Sequence, residues 1–157
     1  MRGVWVSLAV LAFGMPCLCA AADAPLTGTT VELTLVGGSA LNPNTQGQPS
    51  PVEVRIFQLS TPRAFEAADF ASVFRAPQGA TQTDWLEQED FMLRPGQIHE
   101  HKRSPGPAVQ ALGVAAAFRD LEQAVWHVTV PLRPNRLNLI LIDLDHNTIR
   151  LMDRDPP

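Results

Sequence analysis

Few residues in this chain could do chemistry, and their spacing gives little support to an enzyme. The histidines are His99, His101, His127 and His146. A serine hydrolase needs a nucleophile, a base and an orienting acid, and no serine stands in a G-x-S-x-G turn. Gly37-Gly38-Ser39 is followed by no lysine and makes no phosphate-cradling loop. His99-Glu100-His101 would place two imidazoles on one strand face and Glu100 on the other. Such a pair could share a metal if a third ligand came from elsewhere; as a sequence it reads as an exposed polar edge strand. Asp145-His146-Asn147 reads as a hairpin turn rather than a site. His127 is expected on a solvated strand face, and Glu87, Glu89 and Asp90 on a solvated helix face. No catalytic residue, metal or cofactor is expected.

Both cysteines, Cys17 and Cys19, lie in an N-terminal segment that reads as an export signal. Arg2 is its charge, Val4 to Phe13 its apolar run, and Ala20-Ala21-Ala22 a small-residue stretch before Asp23. The apolar run is too short to span a bilayer. The expected division is an export signal over 1–22 and one domain over 23–157, since 157 residues suit a single core. A net charge of −4, with Lys102 the only lysine, gives no electrostatic footprint for nucleic acid or an anionic membrane.

The elements that must position any site are strands. Fourteen prolines and ten glycines suit a strand-and-turn protein. Val31, Leu33 and Leu35 alternate with polar residues, as do Val52, Val54 and Ile56, and Trp126, Val128 and Val130. Each set predicts a half-buried strand. Leu137 to Leu144 predicts a central strand, Leu112 to Phe118 a buried one, and Gln97 to Lys102 a polar edge strand. Thr61 before Pro62 predicts a helix cap, Asp69 a second short helix through Phe74, and Thr83 before Asp84-Trp85-Leu86-Glu87 a third. A helical insertion over about 62–91 is therefore expected within a mainly β frame. The connection from Gly37 to Pro51 is far longer than a hairpin needs. Its prolines stiffen it, and long ordered loops on a rigid frame commonly carry binding.

Four motifs in order resemble one family. Leu41-Asn42-Pro43, Gly47 and Pro49-Ser50-Pro51 run into Val52-Glu53-Val54-Arg55-Ile56-Phe57-Gln58-Leu59. Ala64-Phe65-Glu66-Ala67-Ala68-Asp69-Phe70, Leu93-Arg94-Pro95-Gly96 and Leu112-Gly113-Val114-Ala115-Ala116-Ala117-Phe118-Arg119 follow. Together they resemble TssJ, the outer-membrane lipoprotein family of the bacterial type VI secretion system, over about Val31 to Leu151. The resemblance implies a transthyretin-like two-sheet β-sandwich with a small helical addition, and no catalysis. It implies a structural adaptor at the periplasmic face of the outer membrane that binds the periplasmic domain of TssM and, through it, joins TssL. The family's TssM-contacting loop maps to Gly37 through Pro51, with Leu41 as an apolar anchor. Asn42, Asn44 and Gln46 would then be rim hydrogen-bonding groups, and Pro43, Gly47, Pro49 and Pro51 would set the loop's shape.

The sequence departs from the family at the anchor. Cys17 follows Gly14-Met15-Pro16 and Cys19 follows Pro16-Cys17-Leu18, and neither is a good lipidation context. Cleavage after Ala22 without an acyl chain is expected, with Cys17 and Cys19 the possible lipidation points if processing differs. The competing readings are a periplasmic small-ligand carrier of transthyretin-like form and a small hydrolase. The first needs an apolar pocket, and the second needs His99 and His101 to converge with an acid.

Overall fold

The computed structural model describes residues 28–75 and 83–154. The export signal, Cys17, Cys19 and Ala22 lie outside the described residues, as do residues 76–82 of the expected insertion. Eight strands and two short helices follow in the order β1 (Thr30–Gly37), β2 (Val52–Leu59), α1 (Arg63–Glu66), α2 (Phe70–Phe74), β3 (Trp85–Leu93), β4 (Ile98–Arg103), β5 (Ala111–Ala116), β6 (His127–Pro131), β7 (Leu137–Asp145) and β8 (Thr148–Arg154). They form two four-stranded sheets, β4-β1-β7-β8 and β3-β2-β5-β6. The alternating pattern predicted the strands, and the family resemblance implied the two-sheet sandwich that they form. Every named strand pair is antiparallel except β1 with β7.

The core between the sheets collects the predicted alternating positions. Val31, Leu33 and Leu35 of β1, Val52, Val54 and Ile56 of β2, Leu112 and Val114 of β5, and Ile140, Ile142 and Leu144 of β7 are all buried there. A second apolar cluster lies on the outer face of the β3-β2-β5-β6 sheet, where the helices cover it. Phe57, Leu59, Phe65, Val73, Trp85, Ala111 and Ala115 make it up. Phe65 of α1 sits at its centre, 5.2 Å from the Phe57 ring and 6.0 Å from Trp85. Gly113 is obligatory beneath it: a β-carbon there would lie 2.8 Å from two atoms of the Phe65 ring. Asp69 caps α2 as predicted, accepting the backbone N–H of Ser72 at 2.7 Å.

Several expectations are corrected. The cap of α1 is Pro62, without a side-chain hydrogen bond, so Thr61 does not cap it. Residues 85–91 are not helical: they belong to β3, and Glu87, Glu89 and Asp90 lie on a strand that pairs with β2. Tertiary pairing overrides the local cap signal of Thr83 and the acids that follow it. His127 is half-buried rather than solvated, its ring 5.7 Å from Phe65, because α1 covers that face. Trp126 is also only half-buried. It immediately precedes edge strand β6, with its carbonyl accepting Ala116 N–H at 2.8 Å and its ring against Phe70. Arg55, read as solvated, is buried: it donates to the Val73 carbonyl at 2.7 Å and to Glu53, and covers the Phe74 ring, so it fastens α2 to the sheet.

Candidate functional site

Three connections meet at one end of the sandwich, and the long β1–β2 connection dominates it. That connection leaves β1 through Gly38, where a β-carbon would fall 2.2 Å from the Asp145 carboxylate. Only glycine permits this approach. Asp145 in turn accepts Ala40 N–H at 3.1 Å and pairs with His146 Nδ1 at 3.0 Å. Burial pushes the Asp145 carboxyl up, but hydrogen bonds from His146 and Ala40 outweigh it and leave the group below its usual value.

Leu41, expected as an apolar anchor, is fully buried in the inter-sheet core and stands at the root of the loop rather than on its surface. Asn42 is corrected too. It is 3% exposed, with φ of 47°, and its side chain works inward. Nδ2 donates to Pro51 O at 2.7 Å and Oδ1 accepts Arg119 N–H at 2.9 Å, while its own N–H donates to His146 O. One asparagine therefore ties all three connections together. Its amide suits this, because asparagine tolerates the left-handed region and offers a donor and an acceptor.

Further out, Asn44 closes the tip. Its Oδ1 accepts the N–H groups of Gln46 and Gln48, both at 2.9 Å, and its Nδ2 reaches Gln48 Oε1. Gly47 supplies the positive φ of 76° that this turn needs. Below it, Ser50 N–H donates to Leu41 O. Thr45, Gln46, Gly47, Gln48, Pro49 and Pro51 remain exposed, with Pro43 and Asn44 half-exposed. The surface that another molecule could touch is thus the tip, and its root is structural.

Beside the tip lies an open cleft of about 540 Å³, lined by Asn42, Pro43, Asn44, Thr45, Arg119, Asp120, His146 and Asn147. His146 forms the predicted β7–β8 hairpin tip and holds φ of 52°, a strained value for a residue with a side chain. The β5–β6 connection exposes the apolar side chains of Leu121 and Val125 as well as Arg119. Sequence reasoning met Arg119 only as the end of a motif and His146 only as a turn residue, and it passed over Leu121, whose only signal was the charged and apolar mixture after Phe118 that is common in solvated loops.

A separate cluster stands at the flank where edge strands β3 and β4 approach. Glu89, His99 and His101 each offer a ligand atom within 4.8 Å of the others. The edge-strand expectation for β4 holds and its Glu100, Lys102 and Arg103 are exposed, but His101 is buried and His99 half-buried on its inner face. Burial holds the His101 imidazole below its usual value despite the attraction of Glu89.

Fold and loops together define a two-sheet β-sandwich that carries a preformed platform of three connections. Comparison with known proteins then supplies the family. Residues 29–147 match the family T6SS-SciN, the type VI secretion lipoproteins VasD, EvfM and TssJ, and the chain belongs to that family. The lipoprotein TssJ1 from Pseudomonas aeruginosa is 31% identical, with TM-score 0.76 over 82% of this chain and 98% of its own. A chain of a type VI membrane complex is 30% identical, with TM-score 0.68 over 79% of this chain and 98% of its own. A chain in a structure of the T6SS protein TssM C-terminal domain (869–1107) from EAEC is 30% identical, with TM-score 0.66 over 79% and 98%. No curated protein matches the chain. The family is one of secretion-system lipoproteins, not an enzyme family.

Proposed function

We propose that this protein is the adaptor that binds the periplasmic domain of TssM at the inner face of the outer membrane, and through TssM joins TssL in the trans-envelope complex. The observation that carries the reading is the β1–β2 connection, held in one shape by Asn42 and Asn44 while its tip stays exposed. A loop ordered in advance loses little conformational entropy on binding, so a modest contact can hold. The structural relatives support the partner. One similar chain, 30% identical, comes from a structure of the T6SS protein TssM C-terminal domain (869–1107), and another comes from a type VI membrane complex.

The contact residues are Pro43, Thr45, Gln46, Gly47 and Pro49, with Arg119 and Leu121 beside them. Leu41 and Asn42 act as the root. The role is non-catalytic, and acylation at Cys17 or Cys19 would tether it and raise its effective concentration at the membrane. The unacylated product of cleavage after Ala22 is the form the sequence favours, and the intact mass of the exported protein distinguishes the two.

The test is replacement of residues 45–48 by a Gly-Ser linker, leaving Asn42 and Asn44 in place. Calorimetric titration against the TssM periplasmic domain should show binding lost while circular dichroism stays native. Undiminished binding by the folded variant would remove this loop from the interface.

A further inference from the structure

We propose that Glu89, His99 and His101 form a binding site for a borderline divalent cation of the Zn2+ class, bridging the two sheets at their open flank. The strand register builds it. His99 lies opposite Leu35 and His101 opposite Leu33 in the β4–β1 pairing. Directly opposed residues share a face, and Leu33 and Leu35 are core residues, so both imidazoles face into the sandwich. Glu89 lies opposite Ile56 in the β3–β2 pairing, and Ile56 is also core, so Glu89 faces inward from the other sheet. Two imidazoles from one sheet and a carboxylate from the other thus converge, with ligand atoms within 4.8 Å of one another.

The state of His99 points to a ligand. Its ring is fixed against Phe91, centroids 3.9 Å apart at 15°. Its Nε2 is buried and has no hydrogen-bond partner. Buried polar atoms are ordinarily satisfied, and a coordinated cation would satisfy this one. His101 Nδ1 lies 3.3 Å from Glu89 Oε2, so a small contraction around an ion would keep the carboxylate engaged. Imidazole ligands favour Zn2+, Ni2+ or Cu2+ over Mg2+ or Ca2+, and two histidines with one carboxylate leave a fourth position for water. Arg103 competes. Its Nη2 lies 3.0 Å from the same Glu89 Oε2, but the Arg103 side chain is more than half exposed and can swing into solvent.

The experiment is calorimetric titration of untagged, metal-stripped full chain with Zn2+, with Co2+ absorption spectroscopy alongside. One equivalent should bind, Co2+ should give the intense visible bands of a low-coordinate site, and melting temperature should rise with Zn2+ concentration. His99→Ala and His101→Gln should each weaken binding about tenfold or more, while His127→Gln leaves it unchanged. Arg103→Gln should tighten it by about two- to fivefold, the worth of an exposed ion pair. Absence of binding by the parent chain overturns the proposal, as does binding that survives His99→Ala together with His101→Gln. If the His101 variant fails to fold, the parent's Co2+ spectrum decides: weak octahedral bands overturn the site.

Discussion

Replacing Asn42 tests whether the platform is built as described, because one side chain joins three connections. Asn42→Ala removes the donor to Pro51 O at 2.7 Å and the acceptor for Arg119 N–H at 2.9 Å. Each neutral bond is worth about 1 kcal/mol net, and more where the partner left behind is buried. Alanine must also take φ of 47°, which costs an L-residue about 1 kcal/mol. The sum is about 3 kcal/mol. Asn42→Gly loses the same bonds without the backbone penalty, so it should cost about 2 kcal/mol. Urea unfolding at constant m reads both losses. Limited proteolysis should show faster cleavage within 43–50 in the two variants, and affinity for the TssM periplasmic domain should fall with it. An Asn42→Ala variant within about 0.5 kcal/mol of the parent would refute the clasp. So would an Asn42→Gly variant less stable than Asn42→Ala, because the backbone term would then have the wrong sign.

Other predictions concern the second core and its histidine. Gly113→Ala should cost about 1–3 kcal/mol by overpacking against the Phe65 ring, and Phe65→Leu in the same chain should return part of that loss, read as a coupling energy in a double-mutant cycle. His127 is held below its ordinary value of 6.5 by burial, opposed by the weaker attraction of Glu66. The unfolded chain therefore binds the proton more readily. The stability this provides is fully present above pH 6.5 and declines as pH falls through that value toward the folded one. His127→Phe should flatten that part of the stability-against-pH curve measured by urea midpoints, and an unchanged slope would count against burial as the cause.

The sequence pattern showed most of the strands because their inner faces alternate cleanly. Val31, Leu33 and Leu35, or Val52, Val54 and Ile56, face one continuous core, and period two survives wherever one face is buried. The pattern failed where the second face is also covered. Arg55 looks solvated in sequence, yet α2 packs over it and makes it a buried clamp. β3 was hidden because its acids, Glu87 and Glu89, sit where a half-buried strand should show apolar residues. The loop site was legible in place but not in polarity. Length and prolines marked the β1–β2 connection, whereas nothing local says that Leu41 turns into the core or that Asn42 reaches Arg119, 77 residues away. Glu89 could not be joined to His99 and His101 in advance, since the three meet only after two sheets have stacked.

The parallel pairing of β1 with β7 has a consequence for the order in which the chain can acquire structure. Thr30 pairs with Leu137 and Gly37 with Leu144, so the ladder joins the first described strand to the seventh. A chain growing from its N-terminus can pair β2 with β3 and then β1 with β4 early, but the β1–β7 ladder must wait until more than a hundred further residues have been made. Contacts so distant along the chain are closed late and slowly. Until then Val31, Leu33 and Leu35 lack the neighbouring strand whose Ile140, Ile142 and Leu144 complete their core. Only the last few dozen residues license the sandwich to lock. A ribosome or membrane channel that still holds that stretch therefore also keeps this sheet incomplete.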